Sequence, residues 1–95
     1  MKLLQISNSV KPDKKMMAVF ETDSGRTKTV HFGARGMDDF TITKDKEQQQ
    51  RYLNRHRSSE DWSKKDSAGA LSRWVLWSAT SRAQGIKNYK ERFNL

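Results

Sequence analysis

Two of the three tryptophans of this chain fall within ten residues, Ala68-Gly69-Ala70-Leu71-Ser72-Arg73-Trp74-Val75-Leu76-Trp77. The surrounding chain is very polar, with 32% charged residues and a mean hydropathy of −0.99. A small polar chain does not leave two indoles in water by accident, so this segment either makes the core or makes a binding surface. Ala70, Leu71, Trp74, Val75 and Trp77 recur at helical spacing. Ser67, just before them, is a suitable N-cap.

Ninety-five residues make a single domain, 1–95, with a core that is small for its surface. The remaining aromatics, Phe20, Phe32, Phe40, Tyr52, Trp62, Tyr89 and Phe93, run the whole length, which argues against global disorder. The absence of cysteine excludes disulfides and thiolate metal sites. No apolar run approaches the roughly 20 residues that span a bilayer. The apolar stretch after Met1-Lys2 is too short for a signal peptide. The expected location is intracellular, with no membrane partner.

Residues 1–36 read as a sheet part. Residues 1–8 predict a strand with Leu4 and Ile6 on one face. A polar loop with Pro12, the only proline, follows. Met16–Thr22 and Thr27–Phe32 predict two further strands, joined by a hairpin turn at Asp23-Ser24-Gly25-Arg26 with Gly25 at positive φ. Val19, Val30 and Phe32 mark the expected core face, and Thr29 and His31 the opposite one. Gly33-Ala34-Arg35-Gly36 predicts a tight turn out of the sheet. A phosphate-loop reading fails because no Lys-Ser/Thr follows.

Residues 41–95 read as a helical part. Thr41 or Thr43 is the expected cap of a helix that runs to about Arg57. Ser58–Asp66 is a polar connection anchored by Trp62. The Trp-rich helix comes next. Ser81 caps a last helix with the stripe Ile86, Tyr89 and Phe93. The fold class is therefore α+β: a small N-terminal antiparallel β-sheet of two to three strands, followed by two to three packed helices. The core is expected from Phe20, Phe32, Tyr52, Leu71, Trp74, Val75, Ile86, Tyr89 and Phe93. Arg73 and Trp77 are the residues of the Trp-rich segment expected to face a partner.

The net charge is +8 and is unevenly placed. Residues 1–43 carry seven Lys/Arg against five acids, whereas residues 44–95 carry twelve against six. A field of this sign attracts nucleic acid, anionic lipid or acidic protein; its structural alternative is simple solubility. Lys44, Arg51 and Arg55 fall near one side of the first helix, with Arg57 at its end. Like charges at i, i+4 repel, and either phosphates or the acids Glu47, Glu60 and Asp61 would relieve them. Arg82, Lys87, Lys90 and Arg92 line the last helix, where Lys90 and Arg92 also suit the helix dipole. Arg73 has three options: a phosphate, an indole face or Asp66. His31 and His56 with Asp38, Asp39 and Asp45 match no metal spacing, and no nucleophile–His–acid or paired-carboxylate arrangement is evident.

The succession His31-Phe32-Gly33-Ala34-Arg35-Gly36, Asp38-Asp39-Phe40-Thr41, Lys44-Asp45-Lys46, Arg51-Tyr52-Leu53-Asn54-Arg55-His56, Glu60-Asp61-Trp62 and Ala68–Trp77 resembles a family of small basic proteins. Its members belong to large DNA viruses of algae and protists, with related versions in phages. The resemblance spans roughly residues 16–95. It implies a viral setting and no particular activity. One departure is Gln48-Gln49-Gln50, where the family pattern leads one to expect a more basic run.

These readings converge on a non-enzymatic viral protein without cofactor or catalytic residues. It would bind nucleic acid through phosphates, with little sequence preference. Its candidate contact residues are Arg51, Arg55, Arg57, Arg73, Lys87, Lys90 and Arg92. The alternative is a minor capsid or other virion structural protein whose basic surface meets acidic or virion proteins, with Trp62 and Leu95 as anchors. A metal-dependent nuclease, or its accessory subunit, ranks third.

Overall fold

The computed structural model describes residues 1–95 as a three-stranded antiparallel sheet followed by helices, an α+β fold. Strands β1 (Lys2–Asn8), β2 (Lys14–Glu21) and β3 (Thr27–Ala34) lie in sequence order. The β2–β3 hairpin closes at the expected place. The Thr22 amide donates to the Arg26 carbonyl at 2.7 Å, and Gly25 takes φ +83°. An L side chain is strained at that angle.

The buried face of β3 is the expected one, with Phe32 buried and Val30 packed on the core, but Val19 of β2 lies on the opposite face. Met16 pairs with Phe32 and Ala18 with Val30, so Met16, Ala18 and Phe20 line the core. Val19 pairs with Thr29, and Met17 with His31, on the opposite face. Met16 to Phe20 are all apolar, so alternation within β2 alone does not choose the buried set; pairing with β3 does. In β1 a bulge between Leu3 and Gln5 leaves Leu4 46% exposed. Leu3 and Ile6 pack against the core instead.

The expected first helix is two helices. The α1 turn (Phe40–Thr43) is capped by Asp39, whose carboxylate accepts the Thr41 amide. Lys44 then takes a left-handed conformation, φ 54°, and Asp45 caps α2 (Lys46–His56) by accepting the amides of Glu47 and Gln48. Asp39 and Asp45 have the extended backbone that an N-cap needs, whereas Thr41 and Thr43 already lie inside the first turn. Lys44 therefore sits in the break between the helices and not on the face of α2.

The Trp-rich helix α3 (Ala68–Leu71) starts at Ser67, whose hydroxyl accepts the Ala70 amide. It widens at once into a π-helical turn, Ser72–Leu76. This turn makes Trp77 a core residue and leaves Trp74 packed on the core only in part. An α-helical stripe would bury Trp74, but i→i+5 spacing aligns Leu76 below Leu71. Val75, Leu76 and Trp77 are then buried together, and Trp74 is left half-buried. Trp77 is 7% exposed and stacks on Tyr52, with ring centres 4.1 Å apart and planes at 4°. Gln49 Nε2 donates to the Trp77 carbonyl at 2.7 Å and ties α2 to the same point. Trp77 is thus a core residue and not the binding residue expected.

Helix α4 (Arg82–Phe93) is capped by Ser81, which accepts the Gln84 amide. Tyr89 is fully buried and donates to the Lys65 carbonyl at 2.5 Å. Ile86 and Phe93 pack beside it, as their spacing predicts. Helix α4 crosses the π turn at Gly85, where a Cβ would lie 2.1 Å from the Val75 carbonyl oxygen. Two backbones meet there with no room for a side chain. No helix is long and apolar enough to cross a membrane.

Gly85→Ala should therefore lower stability by about 3 kcal/mol, from overpacking against a backbone that cannot yield. Gly36 has open space at its Cβ position and φ +91°. Gly36→Ala should lose only the left-handed strain, about 1–2 kcal/mol. Urea midpoints of the two variants give the comparison.

Candidate nucleic-acid interface

The seven candidate cations do not form one patch. Arg51, Arg55 and Arg57 are exposed along α2 and at its end. Arg55 lines a cleft of about 620 Å³ between the Gly33–Gly36 segment, α2 and α3. Lys87 and Lys90 are exposed on α4 and line a separate hollow with Ile86 and Leu95. Lys90 also borders a groove along β1. Arg92 lies over the Phe93 ring, 5.2 Å from its centre. Arg73 stands beside the α2 group, near enough to Arg57 for the two charges to disfavour each other.

None of the acids expected as partners relieves these cations. Glu60 Oε1 lies 2.5 Å from His56 Nδ1, and Glu60 Oε2 accepts the Trp62 indole N–H at 3.0 Å. Asp61 binds the amide and hydroxyl of Ser63. Asp66, the alternative partner of Arg73, pairs with Lys28 at 2.7 Å. Asp45 caps α2, and Asp23 holds the N-terminal amine at 2.7 Å. Of the 19 Lys and Arg residues, only Lys15 and Lys28 have a carboxylate within ion-pair distance.

Arg73 is held by rings instead. Its guanidinium carbon lies 4.2 Å from the centre of the Trp74 ring and 5.4 Å from that of Trp62. Such contacts contribute about 0.5–2 kcal/mol each. Its Nε and Nη1, and the Trp74 indole nitrogen, are buried without any hydrogen-bond acceptor. An unmet buried donor is unfavourable by about 1–3 kcal/mol, and more when charged. Burial accordingly pulls the Arg73 pKa below the ordinary value of a guanidinium.

The floor of the cleft is a buried ion pair. Lys15 Nζ donates to Asp39 Oδ2 at 2.6 Å, with side chains 7% and 1% exposed. The other Asp39 oxygen accepts the Thr41 amide at 2.9 Å and its hydroxyl at 2.5 Å. Gly33, at φ +77°, lets this happen. A Cβ there would be 2.7 Å from Leu76 Cδ1 and 3.4 Å from the Lys15 stem. Arg35 fixes the same turn by donating from Nη2 to the Lys14 carbonyl at 3.0 Å. The exit turn is stapled to β2 but falls at Arg35-Gly36, two residues later than expected, because β3 runs on through Gly33 and Ala34. Neither the ion pair nor the stacked Tyr52–Trp77 floor is foreseen by sequence reasoning, because their members are far apart along the chain.

The metal candidates are occupied separately. His31 Nδ1 is 2.7 Å from the Ser9 hydroxyl, and His56 stacks on Tyr52 with centres 4.2 Å apart while facing Glu60. No group of three His, Cys, Asp or Glu side chains is placed to hold a metal ion.

Breaking the buried pair leaves one charge stranded. Lys15→Met should lower stability by roughly 3–5 kcal/mol, read from urea denaturation. A second expectation concerns acid. Asp66 lies below the ordinary carboxylate value of 3.8, chiefly through its hydrogen bond from Lys28. Asp23 and Asp61 are lowered as well, by the N-terminal amine and by Ser63. The folded state therefore holds fewer protons than the unfolded one near these values. The stability these groups add is present above 3.8 and is lost as pH falls through their lower folded values. Melting followed by circular dichroism should show a decline below about pH 4 that is shallower in Asp66→Asn.

Comparison with known proteins bears on the sheet and the first helices. Residues 4–56 match a family of unknown function, DUF5754. The matched stretch runs from within β1 to the end of α2, so it carries Lys15, the Gly33–Gly36 segment, Asp39, Arg51 and Arg55. No curated protein and no solved structure matches the chain. Because the match covers more than half of the 95 residues, the chain belongs to the DUF5754 family of unknown function.

Proposed function

We propose that this is a non-enzymatic nucleic-acid-binding protein that holds phosphates with little sequence preference. The observation that carries this reading is the fate of its carboxylates. Asp23, Asp39, Asp45, Glu60, Asp61 and Asp66 are all committed to caps, turns or ion pairs within the fold. The cations of α2 and α4 make no ion pair within the fold, and the exposed acids on those helices, Glu47 and Glu91, are outnumbered by them. Arg51 and Arg55 repel each other at i, i+4. Phosphates relieve that repulsion, and release of their counterions drives binding. Within the viral setting that the sequence resemblance implies, the polyanion would be a viral genome or transcript.

A second reading, docking onto acidic virion proteins, is favoured by Met37 and Ile42, which are 65% and 51% exposed. They share a hollow with Arg35 and Arg82. Apolar anchors rimmed by arginines suit an acidic protein surface.

Binding of a labelled duplex, measured by fluorescence anisotropy across a salt series, separates the two. We expect affinity to fall steeply with salt, with a log–log slope of several ions. The triple variant Arg51→Ala, Arg55→Ala, Arg57→Ala should reduce that slope by about two to three. The corresponding Lys87, Lys90 and Arg92 variant shows whether α4 contributes. Affinity that does not change with salt, or no binding at low salt, would sink the reading.

A further inference from the structure

The Trp62–Arg73–Trp74 cluster does more than add one positive charge to the surface. Three N–H donors on adjacent side chains, Arg73 Nε, Arg73 Nη1 and Trp74 Nε1, lack acceptors. Neither Asp66 nor Glu60 is available to them, since both are engaged elsewhere. The cluster also offers flat faces. The Trp74 indole stacks closely on the guanidinium, whereas Trp62 covers it at the longer distance of 5.4 Å. Trp62 belongs to the polar connection between α2 and α3 and is held by one side-chain hydrogen bond, to Glu60.

The chemistry that fits is a flat ring with acceptors on its edge. A phosphate satisfies guanidinium donors but makes no use of an aromatic face. A nucleobase supplies both, with carbonyl or ring-nitrogen acceptors in the plane and π faces above and below. In a duplex those faces are stacked and those edges are paired. Only an unpaired base has both free. The π-helical turn beneath the cluster, Ser72–Leu76, is a backbone form often found at functional sites.

We propose that Trp62, Arg73 and Trp74 form a seat for an unpaired base of single-stranded nucleic acid. The incoming base shifts the Trp62 ring, enters edge-on in the plane of the guanidinium, accepts from one of its orphaned N–H groups, and stacks against Trp62. The neighbouring Arg57 and the α2 arginines then follow the strand's phosphates. This inference rests on the nucleic-acid reading above and adds a preference for single strands.

The test compares a fluorescein-labelled oligothymidylate with a duplex of equal length, using the full chain at fixed salt. Intrinsic tryptophan fluorescence is recorded in parallel with an unlabelled oligomer. The single strand should bind about tenfold more tightly than the duplex, as one stacked base allows. It should also quench tryptophan emission. Trp62→Leu should remove most of the quench and bring the single-strand to duplex ratio close to one. Arg73→Lys, which keeps the charge and loses the planar fork, should lower the same ratio. Melting curves confirm that each variant is folded, and Trp62→Leu alone suffices should Arg73→Lys fail to fold. Equal, salt-sensitive binding of both oligomers without quenching would overturn the base seat and leave the phosphate reading standing. Failure of both oligomers to bind at low salt would overturn the two together.

Discussion

The ion pair between Lys15 and Asp39 is the joint of this protein. Lys15 lies on the middle strand, and Asp39 begins the helical half. Their contact spans the sheet-to-helix junction, and every acceptor position of Asp39 that matters is filled by Lys15 or Thr41. A buried pair of this kind adds little net stability over an apolar substitute, but losing one partner is severe. It therefore specifies where α1 begins more than how stable the fold is. The bare Gly33 beside it gives the Lys15 stem and Leu76 their space, so turn, strand and π turn meet at one point.

The same logic of committed carboxylates shapes the outside. A basic chain could have neutralised its surface by pairing acids with its helical arginines. This chain instead uses six of its eleven acids as helix caps, as turn acceptors and as partners of Lys15, Lys28, His56 and the N-terminal amine. Asp45 illustrates the choice. It lies near the α2 cations in sequence, yet its oxygen is directed to the first amides of the helix. The unpaired positive surface follows from how the fold is held together. It follows equally from the excess of 19 Lys and Arg over 11 acids.

Local signals made much of the fold legible. Ser67 and Ser81 cap the helices that their position before apolar stripes predicts, and Gly25 marks the hairpin. What escaped depends on partners or on backbone form. The all-apolar run Met16–Phe20 hides its buried face until β3 is paired with it. Thr41 and Thr43 look like caps, but Asp39, two residues before Thr41, and Asp45, two residues after Thr43, take that place. Trp77 joins the core, and Trp74 only flanks it, because a π turn changes the period from that of an α-helix. The candidate site escaped for a related reason. Arg73 is recognisable as a candidate cation, but its lack of an acceptor arises only because Asp66 reaches Lys28, 38 residues away.

That π turn also connects the core to the proposed seat. Its wider spacing is what turns Trp77 inward onto Tyr52 and leaves Trp74 outward beneath Arg73. Its backbone is pressed from the far side by Gly85 of α4, at a distance that admits no side chain. The turn is thus fixed by packing on both flanks, and the orientation of Arg73 and Trp74 is inherited from it. Trp62 differs, since it comes from a connection without regular structure and is tethered by one carboxylate. A seat with two wall residues set by a packed turn and a third on a loop has its mobile part in the place where a ligand would enter.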